Sequence, residues 1–176
     1  MNVLTIDVCL FIIIVVNTLL NFKTCSVFGH CEIEITESLK EKVYNNLKYL
    51  IQKGCNTFYL GGFGMFDNLC YEIVTKLKET FPQVKRVFCL FDERHIMRSK
   101  RPKWLKEREY DDFVYFDLKF NWWYKRIYYR NCEIVDRSDI IIFYAEKREN
   151  SGAYKILEYA NRKHKLIINL IEKKDG

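Results

Sequence analysis

The sequence predicts an α/β protein: one three-layer α/β/α domain with a mainly parallel sheet, preceded by an apolar N-terminal extension. Three observations carry this. Strand-like and helix-like segments alternate from Thr24 to Ile171. The helical segments, 10 to 18 residues long, suit crossovers between parallel strands. The run DIIIFYA at 139–145 is continuously apolar after its first residue, the pattern of a strand covered on both faces. The 176 residues suffice for little more than one domain, and a 49% hydrophobic, 16% aromatic composition excludes a disordered chain.

The elements follow in order. TCSVF (24–28) is an apolar strand ending in Gly29-His30. From Thr36 to Lys53, Leu39, Val43, Leu47, Leu50 and Ile51 recur at spacings of three and four or adjoin, marking one helical face; Thr36 or Ser38 suits its cap. NTFYLGG (56–62) is a second strand with glycines at its end, and Met65–Phe81 a second helix stopped by Pro82. VKRVFCLF (84–91) is a third strand, Pro102 opens a short helix through Glu109, and FVYF (113–116) is a fourth strand. Asn121–Asp136 reads as an aromatic-rich helix with Trp123, Ile127 and Ile134 facing the core. After the 139–145 strand come a helix at Ala153–Lys163 and a last strand at 165–171.

The first 23 residues stand outside this pattern. VCLFIIIVVNTLL (8–20) is short for a membrane-spanning helix, and no Lys or Arg precedes it as in a signal peptide. Three readings stay open: a weak membrane anchor, a poor export signal, or a dispensable extension from an upstream start. The domain proper is assigned to 24–171. Seven scattered cysteines, without CxxC or zinc spacing, point to no metal site and to a cytoplasmic setting, with a membrane-anchored cytoplasmic face as the alternative. Cys25, Cys55 and Cys89 lie in apolar runs and read as core residues.

In parallel sheets ligands bind beyond the carboxyl ends of the strands. Gly29-His30, Gly61-Gly62-Phe63-Gly64 and, after the fifth strand, Asn150-Ser151-Gly152 all fall there. Glycines admit a ligand close to the backbone, and helix starts favour anions, so a phosphate between the second and third of these turns is the expectation. Asp67 either stabilises the positive end of its helix or accepts hydrogen bonds from ribose hydroxyls. Arg130 and Asn131 precede the fifth strand. A buried Arg130 needs a partner, either an anionic ligand or Glu133 or Asp136. His30 is read as a ligand contact or an acid/base, and His95 and His164 as surface residues.

Gly29-His30, GGFGMFDNLCYE (61–72), Arg130-Asn131 with Ser138-Asp139 eight and nine residues on, and Ser151-Gly152 together resemble the SLOG superfamily of Smf/DprA and LOG domains. The likeness is greatest to its small standalone bacterial family with FTGHR, GGxxGFDxxAAE, RN and SGGT signatures. It covers about residues 24–171. The resemblance implies a Rossmann-like fold that binds a nucleotide or a nucleotide-derived, NAD- or ADP-ribose-like ligand, in a sensing or signalling role and with no required cofactor. The implied ligand residues are Gly29, His30, Gly61, Gly62, Gly64, Asp67, Arg130, Asn131, Ser151 and Gly152.

Two alternatives accompany it. A LOG-like phosphoribohydrolase, cleaving nucleoside 5′-monophosphates, would use Arg130 with Glu158 or Glu72. Yet the LOG segment PGGxGTxxE is Asn150-Ser151-Gly152-Ala153-Tyr154 here, and Tyr154 would crowd a phosphate unless its ring turns away. A DprA-like nucleic-acid-binding module would use the segment Lys85–Tyr110, which carries nine Lys/Arg against four Asp/Glu. The core of this segment, RSKRPKWLKER (98–108), also reads as a solvated loop, as a lid over a polyphosphate, or as a contact for an anionic membrane. A second copy of the chain is a further partner left open.

Overall fold

The computed structural model describes residues 22–171; the apolar run 8–20 lies outside them. Six strands form one sheet: β1 (Thr24–Gly29), β2 (Thr57–Leu60), β3 (Lys85–Leu90), β4 (Asp112–Tyr115), β5 (Ile140–Tyr144) and β6 (Leu166–Asn169), ordered β4-β3-β2-β1-β5-β6. Every neighbouring pair is parallel. The chain winds outward from β1 to β4, returns to β5 beside β1, and winds outward again to β6. The reversal between β1 and β5 is where such sheets open a crevice at their carboxyl edge.

The helices are α1 (Glu37–Gln52), α2 (Met65–Thr80), a single turn α3 (Lys103–Lys106), α4 (Trp123–Arg137) and α5 (Gly152–Arg162). Thr36 caps α1, its hydroxyl accepting from Leu39 N–H at 3.1 Å. Leu39, Val43, Leu47, Leu50 and Ile51 form its buried face. The predicted helix at 102–109 shortens to α3, with Pro102 just before it.

Successive strand residues point to opposite faces, which creates two cores. Ile142 of β5 joins Cys25, Val27 and Phe58 under α1 and α2. Ile141 and Phe143 join Phe28 and Cys89 under α4 and α5. This is the three-layer arrangement the sequence predicts. Cys25, Cys55 and Cys89 are buried as expected, and burial pushes the Cys55 and Cys89 thiols up to about 12. All cysteines among the described residues are free. A third cluster, Phe88, Leu90 and Leu105 with Tyr110 and Phe113 against it, seats the basic segment on the sheet.

The amino edge is fastened by Asp139, whose Oδ2 accepts from Lys23 N–H, Thr24 N–H and the Thr24 hydroxyl at 2.8 to 2.9 Å. Ser138 donates to Ile134 O at 2.7 Å. Asp139 therefore binds β1 to β5 at the edge opposite the expected ligand turns, while Ser138 closes the end of α4. Phe22, two residues before Thr24, packs on the first core. Among the described residues, no helix is long and apolar enough to cross a membrane.

Candidate nucleotide site at the carboxyl edge of the sheet

Arg130 marks the level at which the sheet ends under α4. Its Nη1 donates to Gly61 O at 3.0 Å and Cys89 O at 2.7 Å, carbonyls at the ends of β2 and β3. The residue is 1% exposed, and its guanidinium lies 5.5 Å from the Phe63 ring centroid. Its hydrogen-bond acceptors are thus backbone carbonyls, not Glu133 or Asp136, the protein partners that the sequence offered as the alternative to an anionic ligand. Glu133 is bridged instead to Arg137, and Asp136 to Lys163.

Asp67 is buried beside Arg130. A Cβ built on Gly61 would stand 3.3 Å from both Arg130 Nη2 and Asp67 Oδ2. Asp67 Oδ2 accepts from Phe63 N–H at 2.8 Å, fixing the glycine turn, whereas Asp67 Oδ1 and Arg130 Nε are buried without a hydrogen-bond partner. Burial raises the Asp67 carboxyl to about 6, against the lowering effects of the Phe63 N–H and of Arg130.

The glycines of this edge divide by what surrounds them. A Cβ on Gly29 would lie 2.5 Å from Phe66 Cβ, so this glycine lets α2 pack against the end of β1. Gly64 has φ +94°, and a Cβ there would meet Cys31 Cα at 2.6 Å. A Cβ on Gly62 would strike the Phe88 ring at 2.5 Å. Packing alone therefore requires Gly29, Gly62 and Gly64. Gly152 differs: nothing lies within 4 Å of its missing Cβ.

His30 bridges the crevice between β1 and β5. Its Nε2 accepts from Glu146 N–H at 3.1 Å, and its Nδ1 is 3.2 Å from the Ser151 hydroxyl. An Nε2 that accepts a backbone N–H carries no proton, so the ring is neutral with Nδ1–H donating to Ser151 Oγ. Ser151 in turn caps α5 by accepting from Tyr154 N–H at 3.1 Å. Burial, then the charge of Arg148, lowers the His30 pKa, with Glu146 opposing. The Tyr154 ring turns onto the second core, which leaves the start of α5 uncrowded.

A groove of about 550 Å³ opens between α4 and α5 beside this turn. Trp123, Tyr124 and Tyr128 supply aromatic walls, Asn131 reaches in from α4, and Asn150 and Gly152 close it from the α5 side. Lys125 and Lys155 are its charged residues; no carboxylate lines it. Asn131 Oδ1 has no hydrogen-bond partner.

This groove corrects the reading of Trp123 as a core residue, since it is 66% exposed. Residues 123, 127, 130 and 134 do share one helical stripe. Arg130, however, already stands at the strand ends, and seven residues further back is about 10 Å beyond the sheet. The first two turns of α4 overhang the carboxyl edge, so Trp123 has no strand beneath it. Trp122 and Tyr124 are exposed there too. The sequence signal for this was the cluster FNWWYKRIYY itself, too rich in aromatics for one face of a short helix.

The basic segment is less open than its composition indicates. Arg101 donates to His95 O and Ile96 O and stacks on Phe113 at 3.6 Å. Lys106 donates to Ser99 O, Arg108 to Asn68 Oδ1, and Arg94 pairs with Asp92. Arg98 and Lys100 are exposed cations without such a partner among the described residues. Glu72 lies in the α1/α2 groove, and Glu158 is exposed on α5; neither hydrogen-bonds Arg130. No group of acids, histidines and cysteines suited to a metal occurs among the described residues.

An all-parallel sheet reversing between β1 and β5, with glycine turns and helix starts along its carboxyl edge, is a Rossmann-like fold. Structural comparison agrees. DNA processing protein A from Helicobacter pylori, described as having a unique single-stranded DNA binding mode, superposes with a TM-score of 0.59 at 15% identity, over 88% of this chain and 67% of that one. The X-ray structure of the structural-genomics target TM1055 gives 0.52 at 15% identity, over 82% and 72%. No family model matches the sequence, and no curated protein is significantly similar to it.

Proposed function

We propose that the chain binds a nucleotide or nucleotide-derived ligand in the groove between α4 and α5, as a recognition or sensor domain. One observation carries the reading: aromatic walls and two lysines, without a carboxylate, enclose about 550 Å³ at the carboxyl edge of the sheet. Aromatic rings take the flat base and ammonium groups take the phosphate. The open space at Gly152 lets a phosphate approach the start of α5, which adds the favourable end of a helix dipole. The ligand residues Asn131 and Gly152 belong to this groove, while His30 and Ser151 hold its α5 side in place. Arg130 and Asp67 shape the turn behind it.

Thermal-shift titration with AMP, ADP-ribose, NAD and cyclic nucleotides tests the proposal. A melting temperature that climbs with the logarithm of ligand concentration supports it. No shift with any of them at millimolar concentration overturns it.

A second reading, single-stranded nucleic acid on the same surface, is favoured by the exposed Trp122, Trp123 and Tyr124 and by the fold shared with a protein that binds single-stranded DNA. It moves the contact from 98–108 to the overhang of α4. Gel shift with variants in each segment decides between the two locations. The hydrolase reading has no comparable support, because neither Glu72 nor Glu158 stands with Arg130.

A further inference from the structure

Trp123 borders two grooves. Besides the α4/α5 groove, it lines a second concavity of about 330 Å³ with Phe91, Asn121 and Arg126. The two differ in charge. The first holds Lys125 and Lys155 alone. The second is balanced, its Asp92, Glu93, Arg94 and Arg126 giving two negative and two positive groups. The Asp92–Arg94 pair is closed on itself, and Arg126 is held by Phe120 O. A cationic groove suits phosphate, whereas a neutral one with fixed donors and acceptors suits the edge of a base. An exposed indole between them offers stacking surface to both.

Resting on the function proposed above, we infer that the ligand carries two bases joined through phosphate and straddles Trp123. One base lies in each groove, and the phosphate faces Lys125 and Lys155. Trp123 then sets the ligand class: a single base fills half of the site. Two sources supply this chemistry, a free dinucleotide and a segment of single strand.

The test uses the full chain with Trp104→Phe and Trp122→Phe, so that tryptophan fluorescence reports Trp123. Thymidine 5′-monophosphate, its dinucleotide pTpT and a twelve-residue oligothymidylate are titrated in turn. The second stacked base is expected to make pTpT bind at least ~10-fold tighter than the mononucleotide. By calorimetry in the native background, Trp123→Ala is expected to abolish that advantage and Trp123→Phe to keep most of it. Circular dichroism checks that both variants remain folded. Tighter binding of the oligomer than of pTpT, after correction for the number of registers, assigns the strand; equal binding assigns the dinucleotide.

Equal affinity for mononucleotide and pTpT, or an advantage that survives Trp123→Ala, overturns the two-base site while leaving nucleotide binding intact. Absence of binding by all three overturns the two-base site; the function proposed above falls with it only if AMP, ADP-ribose, NAD and cyclic nucleotides also give no thermal shift. Sedimentation showing that a second copy of the chain shields Trp123 from every nucleotide overturns the inference in favour of a dimer contact.

Discussion

The imidazole of His30 and the hydroxyl of Ser151, 3.2 Å apart, join the end of β1 to the start of α5 across the point where the sheet reverses. The bond holds the Asn150–Gly152 turn that forms one side of the α4/α5 groove. The companion bond, from Glu146 N–H to Nε2, exists only while His30 is neutral, because Nε2 must stay an acceptor. Protonation sets Nε2–H against Glu146 N–H and releases the Glu146 end of the 146–151 loop, while Nδ1–H still reaches Ser151. The folded pKa lies below the ordinary value of 6.5, so the unfolded chain takes up the proton first. His30 thus contributes stability above pH 6.5 that is lost as pH falls through its folded pKa. Denaturation midpoints of the native chain and of His30→Ala, compared from pH 8 to pH 5, should converge as pH falls; a constant difference contradicts the neutral bridge.

Asp67 has the opposite sign. A carboxyl raised to about 6 favours the protonated form in the folded state. Its contribution is complete below the unfolded value near 3.9 and declines as pH rises through about 6. A shift of about two units corresponds to about 3 kcal/mol. The stability of the native chain relative to Asp67→Asn should therefore fall by about 2–3 kcal/mol between pH 4 and pH 7. Urea denaturation at both pH values measures this.

Asp111 braces the basic segment against β3. It accepts from Arg86 N–H and Nε at 2.8 and 3.1 Å and bridges Lys78 at 2.9 Å, while Arg86, 5% exposed, also donates to Thr75. Burial pushes the carboxyl up, but the hydrogen bonds from Arg86 and Lys78 outweigh it and hold the pKa at about 2. This stability is present above about pH 4 and is lost as pH falls through about 2. Asp111→Ala leaves Arg86 buried without its carboxylate and should cost about 3–5 kcal/mol by chemical denaturation at pH 7.

The glycines offer a contrast in one measurement. Gly29→Ala drives a methyl group into Phe66 and should lower the melting temperature by many degrees or prevent folding. Gly152→Ala meets open space at the first residue of α5 and should leave stability unchanged or raise it by up to about 1 kcal/mol. If the groove binds phosphate near Gly152, the same variant weakens nucleotide binding despite its stable fold.

The fold was legible because its signals are local and repeated. The apolar run of β5, the spacing of Leu39 to Ile51 in α1 and the glycines ending β2 each follow from backbone geometry within a few residues. The site was legible only in part. Sequence placed the turns at Gly61, Ser151 and His30 on one edge, since parallel topology demands it. It did not separate a glycine needed for packing, such as Gly29, from one with open space, such as Gly152. That distinction depends on Phe66, which is distant in sequence. Trp123 was misplaced for a related reason: periodicity gives the face of a residue, not whether a neighbouring layer extends that far. Which cations of 98–108 stand free was not legible, because Arg101, Lys106 and Arg108 are held by groups that composition does not show.

The central claim, that the α4/α5 groove is the nucleotide site, is tested most directly by calorimetric titration of AMP into three proteins. These are the native chain, Lys125→Ser/Lys155→Ser, and Arg98→Ser/Lys100→Ser. Removing two cations that contact phosphate should weaken binding at least ~10-fold. The Arg98/Lys100 variant, with the same charge change outside the groove, should bind as the native chain does. Equal loss in both variants, or loss only in the second, would contradict the account.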